Sequence, residues 1–177
     1  MKPKNTKKQQ KGFTVIEVLV VVAIIGLLAS IVLTNLSTAK SRGRDAKRKS
    51  DMIQIRTALE LYFNEHNSYP ITSGEWRGTS VNNGSFDLVG LTGYIPELAP
   101  AFMTALPMDP SGDTTEWSGY AYRSDNGKDY KLLNSAVGPE SWPAADQLFY
   151  DPCRPGTAWM LTNNPDVTAN PSDCGGW

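Results

Sequence analysis

Catalytic equipment is sparse in this chain of 177 residues. It has one histidine, His66, and two cysteines, Cys153 and Cys174. There is no Gly-rich phosphate loop, no Cys/His metal spacing and no nucleophile elbow, so the usual sequence signatures of phosphoryl transfer, zinc chemistry and acyl transfer are all missing. His66 falls where a helical pattern stops, and a cation in a last helical turn is the reading that fits it. No proline occurs between Pro3 and Pro70, so no proline breaks a helix in that interval. Acid is scarce at the start. Residues 1–12 carry five lysines and no carboxylate, and residues 13–39 carry only Glu17.

The net charge of −1 hides a strong division. Residues 1–12 sum to +5, 40–51 to +4 and 67–177 to −8. An acidic distal half argues against a nucleic-acid partner, because phosphate contacts need basic surface. The basic stretch SRGRDAKRKSD (41–51) lacks the aromatics and recognition fold of a nucleic-acid site. Its expected place is at lipid headgroups, fixing the depth of a helix.

What the chain does have is one long apolar run. Phe13 to Leu36 is 24 residues with a single charge. As a helix it would measure about 36 Å, against a hydrocarbon core of about 30 Å. A secretory signal has a shorter apolar region and ends at a small-residue cleavage site, and no lipid-attachment cysteine is present. The run therefore reads as a membrane anchor. A helical pattern then continues to about His66, with Met52, Ile55, Leu59 and Tyr62 spaced by 3, 4 and 3. Ile53, Leu61 and Phe63 are expected to broaden that stripe. Asn67, Ser68 and Pro70 supply the stop. A helix from Phe13 to His66 would be about 80 Å long. Its first half needs lipid or other helices as neighbours, and its second half needs a globular domain.

Beyond the helix, turn formers dominate. FDLVGL (86–91) suggests a short strand or helical turn, YIPELAPAF (94–102) a helix-like segment packed on the stem, and LPMDPSGD (106–113) a loop. GYAYRS, the turn Asp125-Asn126-Gly127 and DYKLLNSAV read as a hairpin. QLFY (147–150) and AWML (158–161) are further strands. Helix first and strands after is an α+β order, one long helix beside a small antiparallel sheet. The two cysteines allow one intramolecular bridge or two free thiols. The Pro-, Gly- and Asn-rich surroundings, short of apolar core, favour the bridge and an oxidising compartment. Basic residues flank the anchor on both sides, so charge alone barely orients it. The cysteine pair and the acidic domain place the N-terminus in the cytoplasm and the C-terminal domain outside it. Asn83-Gly84-Ser85 is a glycosylation pattern that also reads as a turn. Trp142, Trp159 and Trp177 are either core or an adhesive surface.

Glu17 stands out, because a carboxylate at the centre of a membrane helix costs about 2.5–3.5 kcal/mol. Near one end it could snorkel to the headgroups. Its setting says more: a basic leader, Lys11-Gly12, then Phe13, with Glu17 fifth from Phe13. Across residues 8–33 this resembles the signature shared by type IV pilins and the pseudopilins of type II secretion. The resemblance implies cleavage between Gly12 and Phe13 by a prepilin peptidase and N-methylation of Phe13. It also implies assembly into a helical homopolymer in which Glu17 of one copy pairs with the Phe13 amine of another. A glycine at position 12 would let the peptidase approach the backbone. The implied domains are a leader (1–12), an anchor and filament-core helix (13–36), its amphipathic continuation (37–66) and an extracytoplasmic globular domain (67–177).

The resemblance extends through Arg44-Asp45-Ala46-Lys47-Arg48 and Tyr69-Pro70 to Leu106-Pro107-Met108-Asp109-Pro110 and the Tyr120–Tyr122 hairpin, which are similar to G-type pseudopilins. The tail from Cys153 to Cys174 is closer to the disulfide-bounded loop of pilins. Implied partners are membrane lipid before assembly, an assembly platform and a motor ATPase. The primary expectation is a structural pilus subunit, with a secretion pseudopilin and a monomeric anchored binding protein as alternatives; an enzyme is not expected. No cofactor is expected except calcium, which G-type pseudopilins often hold in a distal loop. Asp109, Asp113 and Glu116 are the oxygen-rich candidates, although they match no ligand pattern.

Overall fold

The computed structural model describes residues 12–135, 139–144 and 147–164, without side chains for 31–35. The chain divides into two compact units, Met1–Lys40 and Ser41–Trp177. The amphipathic half of the helix thus groups with the globular part.

Helix α1 runs Val15–His66, 52 residues, two residues later in starting than the apolar run. The delay has a local cause. Thr14 is the N-cap, and its side chain and that of Glu17 close a reciprocal cap that sets the first helical residue at Val15. At the other end Asn67 adopts φ 53° and its N–H donates to the Phe63 carbonyl at 2.7 Å, a left-handed stop. His66 stacks on Tyr62 with ring centroids 4.1 Å apart. Among the described residues no helix is long and apolar enough to cross a membrane. The 24-residue run counted in the sequence includes positions 31–35, whose side chains lie outside that description. From Phe13 to Leu28 the large apolar side chains are exposed.

In the second unit, strands β1 (Arg77–Gly78), β2 (Gly119–Arg123), β3 (Lys131–Ser135), β4 (Phe149–Tyr150) and β5 (Ala158–Thr162) form one antiparallel sheet in the order β1-β2-β3-β5-β4. The hairpin and the last two strands fall where alternation placed them. β1, only two residues long, carries no periodic signal. Register pairs Tyr122 with Leu132 and Leu132 with Leu161, and sets Tyr120, Asn134 and Trp159 in the neighbouring row. These side chains share the face that meets α1. Met52, Ile55, Ala58, Leu59 and Tyr62 supply the helix side of that core.

Two expectations are corrected. Ile53 and Leu61 are 45% and 51% exposed and do not widen the core stripe. At about 100° per residue they lie on the flank turned from the Ile55–Leu59 line. Residues 94–102 form successive turns instead of a helix. Pro96 and Pro100 lack the N–H groups a helix would use, while Tyr94, Ile95 and Leu98 still bury completely. The Asn83 side chain is buried and donates to Ser80 Oγ at 2.9 Å, in keeping with the turn reading of the sequon.

Leu59→Ala should lower unfolding free energy by about 2–5 kcal/mol, whereas Leu61→Ala should change it by no more than about 0.5 kcal/mol. Urea unfolding of the detergent-solubilised chain, followed by tryptophan fluorescence, measures both. Equal losses at the two positions would contradict the assigned face.

Candidate assembly and processing site

The first unit holds the residues that the leader pattern singled out. Gly12 and Phe13 precede the helix, and Phe13 is 88% exposed. Glu17 Oε2 accepts hydrogen bonds from the Thr14 N–H and the Thr14 hydroxyl, each at 2.8 Å. Thr14 Oγ1 accepts in turn from the Glu17 N–H at 3.3 Å. This capping box satisfies two N-terminal donors of the helix. Its sequence signal is Thr-x-x-Glu ahead of an apolar run. Within one chain, then, the carboxylate is held by its own cap.

The second unit holds a charged cluster that the sequence reading missed. Arg48 is fully buried. Its Nε and Nη2 donate to Asp109 Oδ2 and Oδ1 at 2.8 and 2.9 Å, a two-pronged pair. Its Nη1 donates to Asp45 Oδ1 at 2.9 Å and to Glu140 Oε1 at 3.3 Å. Asp109 also accepts from Asn134 Nδ2 at 2.7 Å and from the Ser111 N–H at 2.9 Å. Asp45 accepts from the Glu140 N–H and from Ser141 Oγ, at 3.0 and 2.6 Å. Arg44 pairs with Glu140 through Nε and Nη2, one edge of its guanidinium on both carboxylate oxygens. One turn further, Asp51 takes Lys47 on one oxygen and the buried Tyr120 hydroxyl, at 3.1 Å, on the other. Burial alone would raise the Asp109 pKa. The hydrogen bonds from Arg48, Ser111 and Asn134 outweigh burial and hold it at about 2, below an ordinary 3.8.

This cluster revises the reading of the basic stretch. Arg44, Lys47 and Arg48 are spent on carboxylates of their own unit, and Lys49 lies 5.1 Å from the Trp159 ring centre. Only Lys40 and Arg42 keep the expected outward role unshared. The calcium candidates do not converge. Asp109 already carries a guanidinium, and Asp113 accepts from the Thr115 N–H and hydroxyl. Glu116 is exposed. Among the described residues no group of three or more His, Cys, Asp or Glu is placed to hold a metal ion. Cys153 packs against Ala121, Leu133 and Met160 on the far face of the sheet, and Cys174 lies outside the described residues. Trp159 is core, Trp142 is partly exposed, and Trp177 lies outside the described residues.

A capped, apolar, exposed helix whose second half packs on a small antiparallel sheet defines an α+β subunit of the pilin class. Residues 7–33 match the family pattern of the prokaryotic N-terminal methylation motif. The chain is 30% identical over 151 residues to the type II secretion system core protein G of Pectobacterium carotovorum subsp. carotovorum, covering 78% of this chain and 81% of that one. It is 34% identical over 111 residues to the core protein G of Aeromonas hydrophila, covering 60% and 71%. The core protein G of Escherichia coli K12 is also 34% identical, over 110 residues, covering 59% and 69%. The chain belongs to the type II secretion system core protein G family. It is a structural protein and no enzyme. No solved structure matches it.

The Asp109 pairing has a pH signature. An unfolded chain takes up the Asp109 proton near pH 3.8, and the folded chain resists until about pH 2. The stabilisation, about 2 kcal/mol, is thus complete above the upper value and is lost as pH falls toward the lower one. Asp109→Asn should remove that part of the acid dependence. It should also cost about 3–5 kcal/mol at neutral pH by leaving Arg48 under-compensated. Urea midpoints between pH 2 and 7 measure both effects, and an unchanged acid limb in the variant would contradict the assignment.

Proposed function

We propose that this chain is a pseudopilin of a type II secretion system. It is held in the membrane by its N-terminal helix, with the leader in the cytoplasm and the globular unit outside. It is trimmed by a prepilin peptidase between Gly12 and Phe13, N-methylated at Phe13, and polymerised with other copies through the same helix. The observation that carries this reading is the similarity to core protein G over most of both chains, joined to a methylation motif that ends inside the apolar run. The relatives' name favours secretion over the surface pilus that the sequence suggested first. The exposed apolar side chains from Phe13 to Leu28 are of the kind that lipid or neighbouring helices cover. Glu17 then accepts the Phe13 amine of an adjacent copy, since a charge buried in the filament without its partner costs several kcal/mol. Insertion is followed by handover to an assembly platform, and a motor ATPase supplies the energy. Cys153 and Cys174 form a bridge.

Mass spectrometry of membrane-derived protein should find a chain that begins at methylated Phe13. Gly12→Leu should leave the leader in place. Glu17→Ala should be trimmed normally yet form no filament in sheared or overexpressing cells viewed by electron microscopy. Secretion by a host lacking its own core protein G should return with the wild-type chain and not with Glu17→Ala. A mature chain still starting at Met1 would sink the reading. Surface filaments with no rescue of secretion would return it to the pilus.

A further inference from the structure

The face of the sheet turned from α1 carries a groove. Ala121 of β2 and Leu133 of β3 are buried there with Met160 of β5, and Trp76 and Cys153 pack on them. The groove measures about 380 Å³, with Ala121 and Leu133 as its floor and Trp76, Trp117 and Arg154 around it. Trp117 is 51% exposed, an indole left half in water. Arg154 Cζ lies 5.7 Å from the Trp76 ring centre. Its Nη1 is buried without a hydrogen bond, 3.7 Å from Asp151 Oδ2, which is buried and equally unbonded. Residues 165–177 follow the last described residue, Asn164. They carry Asp166 and Asp173 and no base, and Trp177 is their one aromatic residue.

We propose that segment 165–177 folds back along this face and seats Trp177 in the groove between Trp76 and Trp117, with Asp173 beside Arg154. The proposal rests on the bridge between Cys153 and Cys174 and says what that bridge holds in place. Reach permits it. The ten residues from Asn164 to Cys174 span up to about 33 Å. The strand they run back along, β5, has five residues and is about 17 Å long. Cys153 directly precedes Arg154, and Asp173 directly precedes Cys174. The bridge therefore brings a carboxylate to a guanidinium that lacks an acceptor. Trp177 stands three residues past Cys174, a reach of about 10 Å, and Gly175 and Gly176 between them offer no side chain to obstruct entry. A tether this short holds the indole near the groove at an effective concentration on the order of millimolar. A second copy of the chain has no such tether. Two indoles and an apolar floor suit an aromatic ring, which gains from stacked and edge-on neighbours.

The purified full chain in detergent, labelled with 5-fluorotryptophan, provides the test. Its five tryptophans give separate fluorine resonances, assigned by single Trp→Phe replacements. Alkylation of the unfolded, unreduced chain reports the bridge independently and should add no mass. A water-soluble paramagnetic agent should broaden the Trp177 resonance several-fold less in the oxidised chain than after reduction. Trp117 should become more accessible on reduction too, and the buried Trp159 should not change in either state. Trp117→Ala should expose Trp177 in the oxidised chain while leaving the Trp159 resonance in place, which shows the fold intact. Two alkylated thiols would overturn the bridge and the proposal together. A bridged chain whose Trp177 is as accessible as after reduction would overturn the proposal and leave the bridge standing. Shielding of Trp177 that ignores Trp117→Ala would put the indole outside this groove, and the proposal would fall. Shielding of Trp117 that fades on dilution would assign the groove to a second copy, with the same result.

Discussion

Taking the Arg48 guanidinium out of water constrains the whole globular unit, because an unpaired cation there would cost several kcal/mol. Three segments far apart in sequence converge to meet that cost. Asp45 comes from the preceding turn of α1, Asp109 from the loop before β2, and Glu140 from the loop after β3. Each acid is itself fixed by other donors. Asn134 and Ser111 hold Asp109, and Ser141 holds Asp45. The cation therefore fastens two loops that would otherwise have little regular structure to keep them against the helix. Asp51 repeats the arrangement one turn on, where it accepts the hydroxyl of Tyr120 from the sheet.

The start of the same helix treats a charge differently. Both bonds from Thr14 go to Glu17 Oε2. A carboxylate has about four acceptor positions across its two oxygens, so capping does not exhaust it. An amine from an adjacent copy could be accepted without undoing the cap. In that arrangement the cap orients the carboxylate in advance, which reduces the entropy lost when a partner binds. The two charged devices have different consequences: Arg48 is satisfied within one chain, whereas Glu17 keeps acceptor capacity for another.

Much of this was legible in the sequence. The apolar run, the Met52–Tyr62 stripe, the hairpin and the α+β order follow from periods of 3.6 and 2 and from turn chemistry. The ion cluster was legible too, had the stripe been extended backward. Asp45, Arg48, Met52, Ile55, Leu59 and Tyr62 continue one spacing of 3 and 4, so a cation and an acid lie on the core line. A charge on an apolar line implies a buried partner. The identity of that partner was not legible. Asp109 is 61 residues away in a loop, and only the fold brings it to Arg48. Residues 94–102 have the apolar content of a packed helix, but Pro96 and Pro100 exclude one. Ile53 and Leu61 were misplaced because a count of apolar residues ignores the angle each one occupies.

A helix held to a sheet by an apolar stripe alone has a register problem. Met52, Ile55, Leu59 and Tyr62 follow a repeat of about one turn, so a slide of three or four residues replaces one apolar side chain by another at modest cost. Arg48 breaks this degeneracy. A slide by one turn would carry its guanidinium about 5–6 Å from Asp109, too far to keep a two-pronged hydrogen bond, and would leave both charges buried. The penalty falls on the wrong register far more than it favours the right one, since a buried ion pair adds little net stability over a well-packed apolar substitute. Replacing Arg48 and Asp109 together by apolar residues could then leave stability nearly intact while loosening the position of the helix. For a subunit that is added to a filament through one helix, an imprecise seat on that helix would pass from copy to copy. Selection for register would keep a charged pair that selection for stability alone would not require.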